Sequence, residues 1–250
     1  MGVALLTLAT ACRTLLPGVP LPADDPRPAA LLARWTREAV ERRTLRGVAR
    51  LAVDAEAIVP LRRGLVLVLE RPARLRLELL GFLGQSLAVL VTDGEQFQLF
   101  RVDDRSFESG RVHPRLLWTV ATLALTPEEA VGLLLGLPMP DPALGPVGSQ
   151  LTRDGEIRID LADPGGAVLQ RVAFDSEARL RWLEVRDAEG RVAWQAHFDD
   201  YERVDGFPFP HRVSFDVVDG DSHSVIWFQD LEINPELPAG IFALRAGASD

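Results

Sequence analysis

Side chains able to do chemistry are few in this chain, and they are scattered. The four histidines, His113, His197, His211 and His223, do not pair at the spacings that metal sites use. Asp219-Gly220-Asp221-Ser222-His223 offers carboxylates and an imidazole to a cation, but Asp-Gly between two apolar runs is the signature of a hairpin turn. Asp199-Asp200-Tyr201 is a carboxylate pair at the end of a β-like run. At such a place it reads as a solvated turn and not as a general acid/base dyad. Gly84-Gln85-Ser86-Leu87-Ala88 lacks the second glycine of a nucleophile elbow, and the chain has no glycine-rich phosphate loop. These residues point away from an enzyme, and neither a metal nor an organic cofactor is expected.

The remaining reactive group is Cys12, the single cysteine. It closes an apolar and small run, Val3 to Ala11, too short to span a membrane but suited to the core of a signal peptide over residues 1–11. Leu8-Ala9-Thr10-Ala11-Cys12 resembles a bacterial lipobox, in which the thiol is lipidated and the cysteine becomes the new N-terminus. Ala9 stands where leucine is usual, and no basic residue precedes the run. The plainer alternative is an ordinary buried thiol. Arg13 follows the cysteine; by the Gram-negative sorting rule the absence of Asp there directs a lipidated chain to the outer membrane. One cysteine excludes an intrachain disulfide in any compartment. Residues 14–28 are rich in Pro, Ala and Asp without periodicity, a tether's composition. Residues 12–28 are therefore expected to be lipidated cysteine and tether, and residues 29–245 the folded domain.

The elements that follow are mostly strands. A chain of 250 residues with 47% hydrophobic and 25% charged residues buries a substantial core. The net charge of −9 argues against a nucleic-acid partner. Ala29 to Thr44 has helical periodicity, with Leu31, Leu32, Trp35, Ala39 and Val40 on one face. Strands are predicted at Arg46–Asp54, Gly64–Glu70, Arg74–Leu80, Gln85–Thr92 and Gln96–Val102, with Ser106–Val112 as a further one. The middle of the chain is helical: Pro114–Leu125 is apolar nearly all round, and Thr126-Pro127-Glu128-Glu129 is a capping box for a second helix ending at Gly136. Strands return at Glu156–Ala162, Ala167–Asp175, Leu180–Asp187, Val192–Tyr201, His211–Val218 and Ser222–Ile233. The fold class is thus α+β, mainly β. A single curved antiparallel sheet of about eleven strands forms an incomplete barrel, with an N-terminal helix and two central helices plugging an apolar interior.

Two features of that sheet ask for an explanation. Leu65-Val66-Leu67-Val68-Leu69 is apolar on both faces, so each face must be covered or one must line an apolar cavity. Gly81-Phe82-Leu83-Gly84 sits between two strands where polar turn residues are usual. It either turns into the core or presents Phe82 and Leu83 to something outside.

Several motifs in order carry a resemblance. Thr44-Leu45-Arg46-Gly47 enters the first long strand, and Leu79-Leu80-Gly81-Phe82-Leu83-Gly84-Gln85-Ser86 is similar to an Asn-Pro-Leu-Gly loop and its following strand. Leu134-Leu135-Gly136-Leu137-Pro138 closes the second central helix, and Tyr201, Phe209-Pro210 and the last strands complete the pattern. From about Ala29 to Phe242 the chain resembles the LolB family of outer-membrane lipoprotein receptors, within the LolA/LolB fold. The resemblance implies an apolar cavity for the acyl chains of lipoproteins, a LolA-like periplasmic carrier as donor, and the outer membrane, at its periplasmic face, as destination. Leu83 falls where the family has a protruding leucine for delivery, and Phe82 replaces the family's Pro. Met139–Gln150 is longer than the family pattern, at the mouth of the cavity. Candidate cavity residues are Leu65, Leu67, Leu77, Leu79, Leu87, Val89, Val91, Trp118 and Leu134; the membrane-contacting loop is Phe82 and Leu83. The alternatives are a carrier of another lipid or glycolipid in the same fold, and a structural outer-membrane lipoprotein with a dry core.

Overall fold

The computed structural model describes residues 18–55, 58–113, 116–117, 125–217 and 222–244. Cys12 and the signal peptide, Trp118 with most of the Pro114–Leu125 helix, the Asp219-Gly220 turn and the last residues lie outside these.

Among the described residues one antiparallel sheet of fourteen strands carries the fold. The first meander is β2 (Thr44–Ala55), β3 (Ile58–Glu70), β4 (Arg74–Leu80), β5 (Ser86–Thr92), β6 (Gln96–Arg101) and β7 (Phe107–Arg111). The second is β8 (Gly145–Leu151), β9 (Ile157–Ala162), β10 (Val168–Phe174), β11 (Leu180–Arg186), β12 (Val192–Val204), β13 (Phe207–Val217) and β14 (Ser222–Ile233). β14 pairs with β2 and joins the two meanders, setting Ile226 opposite Leu51 and Ser224 opposite Val53. A two-residue strand, β1 (Val19–Pro20), adds to β8 at one edge, and β7 is the other, so the sheet stays open. Register shifts near Ala55, Leu80 and Leu231 mark irregularities that strengthen the twist and help the sheet curl.

The sheet has two strands beyond the twelve predicted segments, β1 and β8, because both come from stretches rich in Pro and Gly. β1 is the sheet edge and pairs only with Leu151 and Gln150 of β8, so the rest of β8, Pro146 included, has a partner strand on one side alone. Leu21 N donates to Ser149 O at 2.9 Å, and Gly18 N to the Gln150 side chain at 3.1 Å. The folded part therefore begins earlier than residue 29, inside the stretch read as a tether.

The concave face is apolar along most of each cross-strand row. One runs Ile159, Val172, Leu183, Ala196, Phe215, Ser224 and Val53, each opposite the next and all buried. Burial of this kind contributes roughly 25 cal/mol per Å² of apolar surface and is the main stabilising term.

Among the described residues two helices pack on that face. α1 (Pro26–Glu41) starts three residues before the predicted point, because the Asp25 side chain caps it by accepting from Arg27 N at 3.0 Å, with Pro26 at N1. Trp35 is its buried anchor: its ring meets Phe174 edge-on at 5.9 Å and its Nε1–H donates to Pro138 O at 2.7 Å. Val40 does not share the buried face as expected, being 56% exposed. α2 (Pro127–Leu134) shows the predicted capping box: Glu129 Oε2 accepts from Thr126 N at 2.8 Å, and Thr126 Oγ1 accepts from Glu129 N at 3.3 Å. Every residue of α2 except Glu128 and Glu129 is buried.

The two-faced apolar strand also finds its explanation. Leu65, Leu67 and Leu69 point into the core. On the outer face Val68 lies opposite Arg76, Arg76 opposite Val91, and Val91 opposite Gln98. The C-terminal segment is fastened along that row: Arg76 Nη1 donates to Ile241 O at 3.4 Å, and Gln98 Oε1 accepts from Leu244 N at 2.6 Å. Phe242 is buried there, with the Arg74 guanidinium 4.8 Å from its ring centre.

Candidate membrane tip and concave-face cavity

The β4–β5 hairpin ends in a tight turn. Gly84 N donates to Gly81 O at 3.0 Å and Gly81 N to Gln85 O at 2.7 Å. Gly84 takes φ +82°, a conformation that glycine adopts without strain. The Gln85 side chain accepts from Leu83 N at 3.0 Å, fixing the tip from beneath. Phe82 is 99% exposed and Leu83 85%, the two most exposed of the large hydrophobic side chains described. The turn does not fold into the core, and it presents two apolar side chains on a prebuilt loop.

The candidate cavity residues separate into groups. Leu65, Leu67, Leu77, Leu79 and Leu134 belong to one packed core cluster, with Leu65 opposite Leu79 and Leu67 opposite Leu77. None of them lines a cavity described for this structure. Leu87, Val89 and Val91 sit on the opposite, outer face, because Val89 lies opposite Glu78 and Val91 opposite Arg76. Continuous apolar runs hide the period-two signal that would have separated the faces.

The concave face does hold a cavity, in the other half of the sheet. About 750 Å³ in volume, it is walled by Leu183, Val185 and Trp194 from β11 and β12, with Val40 of α1 and Met139 beyond α2. Its rim is charged, carrying Arg43, Arg71, Glu128 and Glu129. The size falls within the range of small-ligand pockets, about 300–1,000 Å³. Sequence reasoning missed this wall. The available signals were Val40, which an amphipathic helix leaves beside the lining, and the long Met139–Gln150 segment at the mouth.

The turn after α2 is held by three donors. The buried Arg42 gives Nη1–H to Leu135 O and Nη2–H to Pro208 O, both at 2.8 Å, and its guanidinium lies 5.8 and 5.6 Å from the ring centres of Phe207 and Phe209. Arg71 donates to Leu137 O and, at 2.8 Å, to Arg42 O. Trp35 takes Pro138 O, as described. Burial draws the Arg42 guanidinium down to about 10; Arg71 falls to about 10 through burial and then through the Arg42 charge. Both stay charged at neutral pH and complement the negative end of α2. Gly136, at φ +68°, packs so closely on β13 that an added Cβ would stand 2.7 Å from Pro210 Cδ. Glu129, besides capping, accepts from Trp194 Nε1 at 2.9 Å and ties α2 to the cavity wall.

The groups weighed for catalysis are dispersed. His113 stands edge-on to Phe97, His211 faces Phe228 O, and His223 bonds Asp216 at 2.6 Å on the outer face. Asp199 is engaged by Arg181 and, at 3.7 Å, by Arg212. Burial raises the Tyr201 phenol, whose hydroxyl donates to Leu180 O at 2.5 Å. Among the described residues no three His, Cys, Asp or Glu side chains gather as a metal site, and no helix is long and apolar enough to cross a membrane.

Solved structures place this architecture. A LolA-superfamily protein from Nitrosomonas europaea superposes with a TM-score of 0.55 at 15% identity, over 85% of this chain and 97% of that one. The fold is LolA-like. A DUF1329-family protein from Desulfovibrio piger gives a TM-score of 0.59 at 11% identity, over 87% and 97% of the two chains. A domain assigned to outer-membrane lipoprotein sorting, from Vibrio parahaemolyticus, gives 0.52 at 11% identity, over 84% and 95%. No protein-family model matches the sequence, and no curated protein matches it. At these identities the likeness extends to the fold, and the narrower resemblance to LolB rests on the motifs alone.

Proposed function

We propose that this protein is a non-enzymatic, lipid-anchored receptor of the outer membrane, held at the periplasmic face by Cys12. In this reading it takes lipoproteins from a LolA-like carrier, shelters their acyl chains on its apolar concave face, and helps insert them into the bilayer. The observation that carries the reading is the Phe82–Leu83 tip, exposed on a turn that Gln85 holds in place. Transferring each of these side chains into a bilayer stabilises contact by roughly 1.5–3 kcal/mol, enough for transient docking and too little for anchoring. Anchoring falls to the lipid on Cys12, at about 0.8 kcal/mol per buried CH₂. In the conformation described, α2 packs against β3 and β4, so in this reading acyl chains enter the cavity beside Trp194 first and reach the β3–β4 surface when α2 is displaced.

The test is complementation of cells depleted of their own receptor. Wild type is expected to restore lipoprotein delivery and Leu83→Glu to fail while accumulating to normal levels; full rescue by Leu83→Glu refutes the role of the tip. The charged rim of the cavity favours a second reading, a carrier for another lipid with a polar head. Mass spectrometry of lipid extracted from the purified protein separates the two: a free lipid in stoichiometric amount, with no rescue in cells, selects the carrier.

A further inference from the structure

A second surface, on the outer face of the sheet, has no part in the reading above. Trp227 of β14 lies opposite Arg50 of β2, Arg50 opposite Gly64 of β3, and Gly64 opposite Leu80 of β4; one rung along, Ala52 lies opposite Arg62. Gly64 has no side chain to fill the row, and the result is a groove of about 1,040 Å³ between Arg50 and Leu80 that reaches Phe82. Arg50 and Arg62 line it from the outer face, Arg63, opposite Leu51, borders it from the other side of β3, and among the described residues no carboxylate lines it. That is a local inversion of charge in a chain of net −9. Arg63 gives one N–H to Arg62 O at 2.9 Å, whereas Arg50 and Arg62 have no ion-pair partner among the described residues. Arginines elsewhere on the sheet, such as Arg171, Arg181 and Arg186, sit against carboxylates.

Cations gathered without counter-charge repel one another, and an arriving anion relieves that cost. Guanidinium groups present planar donors suited to phosphate oxygens. The neighbours decide which anion. Trp227 is 40% exposed in the groove, as suits an amphipathic ring at a membrane interface. Phe82 and Leu83 project beyond it, a protrusion shaped for a fluid apolar layer and ill matched to the flat face of an acidic protein. We propose that the groove binds phosphate-bearing headgroups of an anionic membrane while Phe82 and Leu83 enter the acyl layer. The proposal rests on the reading of Phe82–Leu83 as a membrane tip, and it adds a lipid preference and an orientation: the outer face of β14–β2–β3 lies against the bilayer.

Co-sedimentation with vesicles tests it, using the full chain with Cys12→Ala so that no lipid anchor contributes. Vesicles of phosphatidylcholine alone are compared with vesicles containing phosphatidylglycerol. Each arginine near an anionic surface contributes roughly fivefold in affinity, so Arg50→Gln/Arg62→Gln is expected to weaken binding to phosphatidylglycerol vesicles about 25-fold. The same variant keeps its weaker binding to phosphatidylcholine, and added salt removes the wild-type preference. Equal wild-type binding to both vesicles, or an unchanged double variant, overturns the groove proposal. So does selective release by inorganic phosphate against chloride of equal ionic strength, which would assign the groove to free phosphate. Leu83→Glu is the separate control: loss on both vesicle types upholds the tip, and retention on both sinks the tip reading whatever the arginines do.

Discussion

Arg42 joins the α2 turn to the sheet, and Arg42→Met removes that join while keeping most of the stem. Wild-type Arg42 makes two hydrogen bonds of 2.8 Å from a charged donor, to Leu135 O and Pro208 O. At about 1.5–3 kcal/mol each, these amount to roughly 3–6 kcal/mol gross. The charge is also costly to bury, as its lowered pKa records, and relief of that cost offsets around half. A net loss of about 1.5–3 kcal/mol follows, or a fall in Tm of roughly 3–12 °C for a domain of this size. The loss should concentrate in α2. Amide exchange at Leu135 and Gly136, whose N–H groups bond Val131 O and Leu133 O, is expected to quicken roughly 10- to 150-fold as the turn opens more often. Binding of a fluorescent fatty acid should rise in parallel, because an opened α2 exposes the concave leucines. Unchanged protection at Leu135 and Gly136, with unfolding free energy within about 0.5 kcal/mol of wild type, would refute the latch.

Two further predictions concern backbone and charge. Gly136→Ala is expected to cost about 3 kcal/mol or more, since its φ is +68° and the new methyl meets Pro210; Gly84→Ala, at φ +82° with no atom within 4 Å, costs about 1–2 kcal/mol. Urea midpoints measure the difference, and equal costs would show that packing on β13 is unimportant. Hydrogen bonding between the partners raises the His223 pKa and lowers that of Asp216. The His223 contribution is complete below its unfolded pKa of about 6.5 and disappears as pH rises through the raised folded value. The Asp216 contribution is complete above about 3.9 and disappears as pH falls through the depressed value. His223→Gln should therefore destabilise most between about pH 4 and 6.5, by under about 1 kcal/mol because the pair is well exposed. A difference that grows toward alkaline pH contradicts this assignment.

Local chemistry in the sequence specified a good deal. The Thr126–Glu129 capping box appears with both of its bonds, since it depends only on residues three apart. The long strands follow from the apolar period of their residues. The doubly apolar β3 was legible as a strand needing cover on both sides, but its outer cover comes from residues 241–244, more than 170 positions away. Leu87, Val89 and Val91, expected from the sequence to line the cavity, lie on the outer face instead, because an uninterrupted apolar run carries no phase.

What the sequence determined by itself is an open, mainly antiparallel sheet with an apolar pair between glycines at one turn. Only the tertiary structure decided that this pair points outward, that α2 packs against β3 and β4, and that the cavity opens beside Trp194 and not along β3–β5. It also decided that Arg50, Arg62 and Trp227, distant in sequence, meet in one groove beside the tip. The physical reason is common to all of these. Spacing along the chain dictates which residues share a face of an element, whereas register and curvature across fourteen strands dictate what each face meets.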